Sequence, residues 1–213
     1  MKIRESLIIL FFLCLAQSLL AQRARDVFNP GLPITWLGLD FSQSRFIGDH
    51  GKFKSVYNTQ NLFSALNDLM LFEKEKYDVG KMLGKQQVIF KLNITRGHNA
   101  RLDVASLLAD STGSHHHLKQ ADIEAIVRGY DFERNRGVGL MFNIESFNKT
   151  VSEALIWVTF INMTTNEILF TEELGQEPGG FGLRNFWAGA IYDMMKRVRK
   201  SELKKWQLKY GNK

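Results

Sequence analysis

The chain has 213 residues, a formal net charge of +6 and 45% hydrophobic residues, a size that suits one domain with a core large enough to fold without covalent staples. Its one cysteine, Cys14, falls in a leader segment, so the remainder can hold no disulfide, thiolate metal site or cysteine nucleophile. The positive charge is uneven: much of it lies at the C-terminus.

Lys2 and Arg4 precede the apolar block Leu7 to Leu15, and Leu19-Leu20-Ala21-Gln22 offers the small Ala21 at a cleavage point. This pattern is that of a secretory signal peptide over residues 1–21. The apolar run is shorter than the roughly 20 residues of a membrane-spanning helix, and Cys14, behind Phe12-Leu13, lacks the small neighbours of a lipidation site. Cleavage leaves 192 of the 213 residues, with a charge of +5 once Lys2, Arg4 and Glu5 are gone. The expectation is export through a cleaved signal peptide to a periplasmic or outer-membrane-associated location.

Residues 22–33 carry two prolines and few apolar side chains, as an exposed lead-in does. Ile34 to Phe41 reads as an interior strand, apolar on both faces. Asp40 near its end is a candidate polar site, with the plainer role of turning the chain into Ser42-Gln43-Ser44. From the caps Asn58 or Thr59, the spacing of Leu62, Phe63, Leu66, Leu69 and Met70 predicts an amphipathic helix, with Glu73 to Lys76 as its solvated end. Gln86 to Thr95 alternates as a second strand, with Val88, Phe90, Leu92 and Ile94 buried. Residues 96–117 stay open between a short helix and an edge strand.

Ser114-His115-His116-His117 invites a metal reading, but neighbours on an extended chain point to opposite faces, and no His-x-x-x-His or carboxylate pair adjoins them. A polar loop is the expectation, and no metal or cofactor is assigned. Lys119 to Arg128 predicts a second helix, Val138 to Glu145 a third strand, and Ala154 to Met163 a central strand that pairs antiparallel with Ile168 to Thr171 across Thr164 to Glu167. The turn Pro178 to Gly182 leads into a last helix on which Trp187, Ile191, Met194 and Val198 form the core-facing stripe.

The expected fold is therefore α+β: a mixed sheet of about five strands in the order β-α-β-α-β-β-β-α, occupying residues 34–200 as one domain, with a basic C-terminal tail at 201–213. No Ser/His/Asp, paired-carboxylate or histidine-carboxylate motif stands out locally, so no catalytic residue is assigned. Gly179 to Asn185 could offer backbone N–H groups and Arg184 to an anion, although it lacks the ending of a phosphate loop. The run Lys196, Arg197, Arg199, Lys200, Lys204, Lys205, Lys209 and Lys213 exceeds what a helix C-terminus needs and points to an anionic surface or acidic partner. Nucleic acid is disfavoured in an exported protein.

This order of elements, with Ile34-Thr35-Trp36-Leu37-Gly38-Leu39-Asp40-Phe41 first and the hairpin Val158 to Phe170 late, resembles the small α+β domain of bacterial envelope proteins of the CsgG, LpoB and TolB N-terminal type. Thr165-Asn166-Glu167 stands where those families usually have a Thr-Gly-Glu turn. The leader also resembles uncharacterised secreted proteins of Bacteroidetes. The resemblance implies an accessory or assembly factor rather than an enzyme, and transfers no functional residues; the charge pattern itself points to an envelope protein or an anionic membrane surface bound through Arg184, Arg197, Arg199, Lys200, Lys204 and Lys205. The alternative is a small-molecule binder or hydrolase with a pocket between Asp40 and the Gly179 to Arg184 turn.

Overall fold

A computed structural model describes residues 22–48, 56–109 and 115–212; the expected signal peptide, His50, Ser114 and Lys213 lie outside the described residues. The fold is α+β, as expected. Strand β1 (Ile34–Asp40) is buried along its whole length, as its two apolar faces predict. It is followed by β2 (Arg45–Ile47), helix α1 (Val56–Phe72), the short α2 (Val79–Leu83), β3 (Val88–Phe90), α3 (Asn93–Asn99), β4 (Leu108–Ala109) and α4 (Gln120–Arg128). The chain ends with β5 (Val138–Asn148), β6 (Glu153–Asn162), β7 (Glu167–Gln176), α5 (Leu183–Arg197), a π turn (Val198–Glu202) and α6 (Leu203–Tyr210).

Strand β5 organises the sheet. Along one edge it pairs parallel with β1 over Val138 to Asn143 and then with β2 over Ser146 to Asn148. Strands β3 and β4 line up in the same way outside β1 and β2. Among the described residues seven strands thus form five rows, which is why a count of about five fits. The other edge of β5 carries the antiparallel β6, and β6 carries β7 in the hairpin expected from the sequence.

The second expected strand differs most. Pairing of β3 with β1 stops at Phe90, and Asn93–Asn99 is helical. Side chains replace the missing strand along β1: Thr95 Oγ1 donates to Leu37 O at 2.5 Å, Asn99 Nδ2 donates to Leu39 O at 2.8 Å, and Phe41 N donates to Asn99 Oδ1 at 3.0 Å. Ile94 is buried from a helix, while Val88 and Phe90 are not fully covered. The charged run Glu73 to Lys76 is a turn that ends α1, and Asp78 caps the new helix α2 through Lys81 N at 2.7 Å.

The main core lies between the sheet and α1, α2, α5 and α6. Trp187 of α5 stacks on Phe147 with ring centroids 4.4 Å apart, as its place in the predicted stripe requires. The glycine turn lets α5 return: a side chain on Gly189 would collide with the backbone of Gly179. Beyond Val198 the structure departs from the expected tail. Leu203–Tyr210 is helical, Trp206 is 3% exposed, and Tyr210 stacks on Phe170 at 4.3 Å. The stripe continues at Val198, Glu202, Trp206 and Tyr210, each four residues on, and the widened π turn keeps such spacing on one side. A smaller core on the opposite sheet face joins Leu37, Met141, Ile161 and Met163 to Val127, Tyr130 and Phe132.

Candidate functional site

On that second face, the two-residue period of the pleat brings pairs of polar side chains from three neighbouring strands into one seam: Asn143 and Glu145 of β5, Trp157 and Thr159 of β6, and Thr171 and Glu173 of β7. The registers Asn143 with Trp157 and Trp157 with Glu173 place them side by side. Asp40 closes the seam at one end. Its buried carboxylate accepts from Tyr130 Oη at 2.7 Å, Asn143 Nδ2 at 2.9 Å and Ser42 Oγ at 2.8 Å. Thr159 Oγ1 then donates to Asn143 Oδ1 at 2.7 Å, and the Thr159 and Thr171 hydroxyls meet at 2.8 Å. Asp40 therefore ties β1 to β5 and to the segment after α4, while also holding the turn at Ser42. Burial first, and then the Asp40 carboxylate, push the Tyr130 hydroxyl far above its ordinary value.

At the other end Glu145, 0% exposed, accepts from Leu118 N at 2.9 Å and from His117 N through Oε1, and from Trp157 Nε1 at 2.7 Å through Oε2. The three histidines go to different partners. His115 lies between Glu153 and Ser146 at 2.9 and 2.8 Å, His116 Nδ1 meets Glu173 Oε1 at 2.9 Å, and His117 Nε2 meets Gln43 O at 2.8 Å. Burial first, and then the neighbouring Glu145, hold Glu173 above the usual carboxylate range, against the pull of His116. The sequence reading found no carboxylate pair beside the histidines because Glu145 and Glu173 come from strands 28 or more residues away. The local sequence shows only the two-residue polar spacing of Asn143 with Glu145 and of Thr171 with Glu173, and nothing in it sets these beside the histidines.

Asp40 and the histidine run thus lie at the seam, whereas the basic residues singled out from the sequence fall elsewhere. Arg184 is exposed at the start of α5, where its Nε donates to Asn185 Oδ1 at 3.2 Å. In the turn before it, Gly179 N is already bonded to Phe186 O at 3.1 Å. Arg197 and Lys205 converge on Glu202 at 3.0 and 3.1 Å; burial works against that carboxylate's charge, but these two cations outweigh it and lower its pKa. Arg199, Lys200 and Lys204 are exposed. The pocket expected between Asp40 and Arg184 does not form. Asp40 faces the core of Tyr130 and Met141, whereas α5 packs in the core on the other side of the sheet.

Among the described residues no helix is long and apolar enough to cross a membrane. Neither a protein-family model nor a curated protein matches the chain. Three solved structures show distant structural similarity. The C-terminal domain of LpoB from Salmonella enterica is 13% identical with a TM-score of 0.29, covering 70% of this chain and 84% of that domain. Lipoprotein GNA1162 from Neisseria meningitidis is 10% identical with a TM-score of 0.32, covering 80% and 98%. The hypothetical protein CT253 from Chlamydia trachomatis is 8% identical with a TM-score of 0.31, covering 85% and 98%.

Proposed function

We propose that this chain is an exported, non-catalytic envelope protein, periplasmic or outer-membrane-associated, whose C-terminal helices bind an anionic partner, either an envelope protein or a membrane surface. The leader pattern of residues 1–21 supports export. One observation carries the binding surface. Lys196, Arg197, Lys205 and Lys209 are taken up by Asp193, Glu202 and Glu172, whereas Arg199, Lys200 and Lys204 stand exposed on successive turns of a rigidly packed helix. Cations fixed on a folded element, beyond those used for internal pairing, attract an anionic surface at no ordering cost to the chain.

Substitution tests this reading better than truncation, because removing residues 199–213 would also remove Trp206 from the core. In the R199E/K200E/K204E variant three attractive charges become repulsive. At about 1 kcal/mol per cation near an anionic surface, neutralisation alone lowers affinity about a hundredfold. The expected outcome is a folded variant that washes out of the envelope fraction at a salt concentration retaining the wild type. Equal retention of the two proteins would sink the proposal. Co-sedimentation with vesicles of phosphatidylglycerol, set against chemical crosslinking in the native envelope, separates lipid from protein as the partner.

A further inference from the structure

We propose that His116, Glu145 and Glu173 form a binding site for a divalent transition-metal ion of the zinc class, on the sheet face opposite α1 and α5. One ligand atom from each side chain lies within 4.8 Å of the other two. Metal–ligand bonds of about 2.0–2.2 Å at tetrahedral angles put donor atoms about 3.3–3.6 Å apart. His116 Nδ1 and Glu173 Oε1 are already at 2.9 Å. The closing movement falls to His116, whose side chain is 66% exposed and which also provides the path of entry.

Glu145 is aimed in advance. Three N–H donors hold its buried carboxylate, two at Oε1 and Trp157 Nε1 at Oε2, so that it stands fixed beside Glu173. Such outer hydrogen bonds orient ligands in protein metal sites. One imidazole and two carboxylates suit zinc-class ions, whereas calcium and magnesium favour oxygen donors alone.

The neighbouring His117 holds this segment in place: its Nε2 lies 2.8 Å from Gln43 O, and its buried Nδ1 lies 3.6 Å from Glu145 Oε1. Bound metal would fasten the segment His115 to Leu118 across the rows of β5 and β7.

Calorimetric titration of the purified, chelator-treated protein with Zn2+ at neutral pH tests the site, with Co2+ absorption reporting the ligands. The expected result is one ion per chain, with H116A and E173Q each weakening binding by about tenfold or more. H115A, which removes the ring held by Glu153 and Ser146, should bind as the wild type does. Far-UV circular dichroism shows whether each variant is folded, and because His116 is exposed, H116A keeps the test informative if E173Q does not fold. Absence of zinc uptake would overturn the proposal, as would full affinity in H116A or an equal loss in H115A, since either means adventitious binding by the histidine run.

Discussion

Asn67 of α1 pairs with Leu39 of β1 as a neighbouring strand would: Leu39 N donates to Asn67 Oδ1 at 2.8 Å, and Asn67 Nδ2 donates back to Leu39 O at 3.2 Å. The helix fits this close because residue 38 is glycine. Gly38 has φ +98°, and a Cβ there would stand 2.5 Å from Asn67 Oδ1. The amide thus stops a buried strand edge from going unpaired where β3 ends. Asn67→Ala leaves the Leu39 N–H without an acceptor in a buried site, a loss of about 1–3 kcal/mol. Urea denaturation should show the midpoint falling at unchanged slope. Gly38→Ala should be at least as damaging, since it adds backbone strain to the collision.

Glu202 predicts the acid limb of stability. Burial disfavours its charge, but Arg197 and Lys205 outweigh that, so its folded pKa lies below the ordinary 4.5. A carboxylate with a depressed folded pKa stabilises above its unfolded value, and the contribution is lost as pH falls through the folded one. Both cations are largely exposed, which limits the contribution to about 1 kcal/mol. Thermal unfolding of Glu202→Gln should therefore fall below wild type at neutral pH and converge with it as the pH drops from 4.5. A gap that stays constant down to low pH would remove this assignment.

Elements whose apolar period is local were legible in the sequence: α1, α5 and the β6–β7 hairpin are written in Leu62 to Met70, Trp187 to Val198 and Val158 to Phe170. Strands β2 and β4 were not, because two or three residues carry no period and they exist as strands only where β5 runs on past Asn143. Asn93–Asn99 alternates like a strand up to Ile94. What makes it a helix is the set of bonds from Thr95 and Asn99 to β1, more than 50 residues away, and no local window contains those. The polar seam was half legible. Asn143 and Glu145 alternate with the apolar Phe142 and Ile144 in the strand expected from the sequence, but that Trp157 and Glu173 face them shows only in register.

Tyr130 should resist alkaline titration. Its hydroxyl donates to Asp40 Oδ1 at 2.7 Å in a buried site, and ionisation would set two anions against each other without water between them. Ultraviolet difference spectra should show exposed tyrosines ionising near pH 10 while Tyr130 stays neutral until the protein unfolds. Because its folded pKa is raised, its contribution to stability is complete below about pH 10 and declines as the pH rises further. Tyr130→Phe should flatten that alkaline decline, and titration of all tyrosines together in the folded protein would refute the buried bond.

Trp206 tests whether the C-terminal helix belongs to the domain. It is 3% exposed and packs edge-on against Phe160 and Phe170, with centroids 6.1 Å from each. Removing a buried aromatic of this size costs about 3–5 kcal/mol. Trp206→Ala should lower the thermal midpoint strongly, and a chain ending at residue 198 should lose cooperative unfolding altogether, since the truncation also removes Tyr210 from Phe170 and Lys209 from Glu172. In contrast, Leu208→Ala on the same helix, where the side chain is 76% exposed, should stay within about 0.5 kcal/mol of wild type. If Trp206→Ala proved as mild as Leu208→Ala, the last helix would be an appendage, and the cations on it would lack the preorganisation on which the proposed binding surface rests.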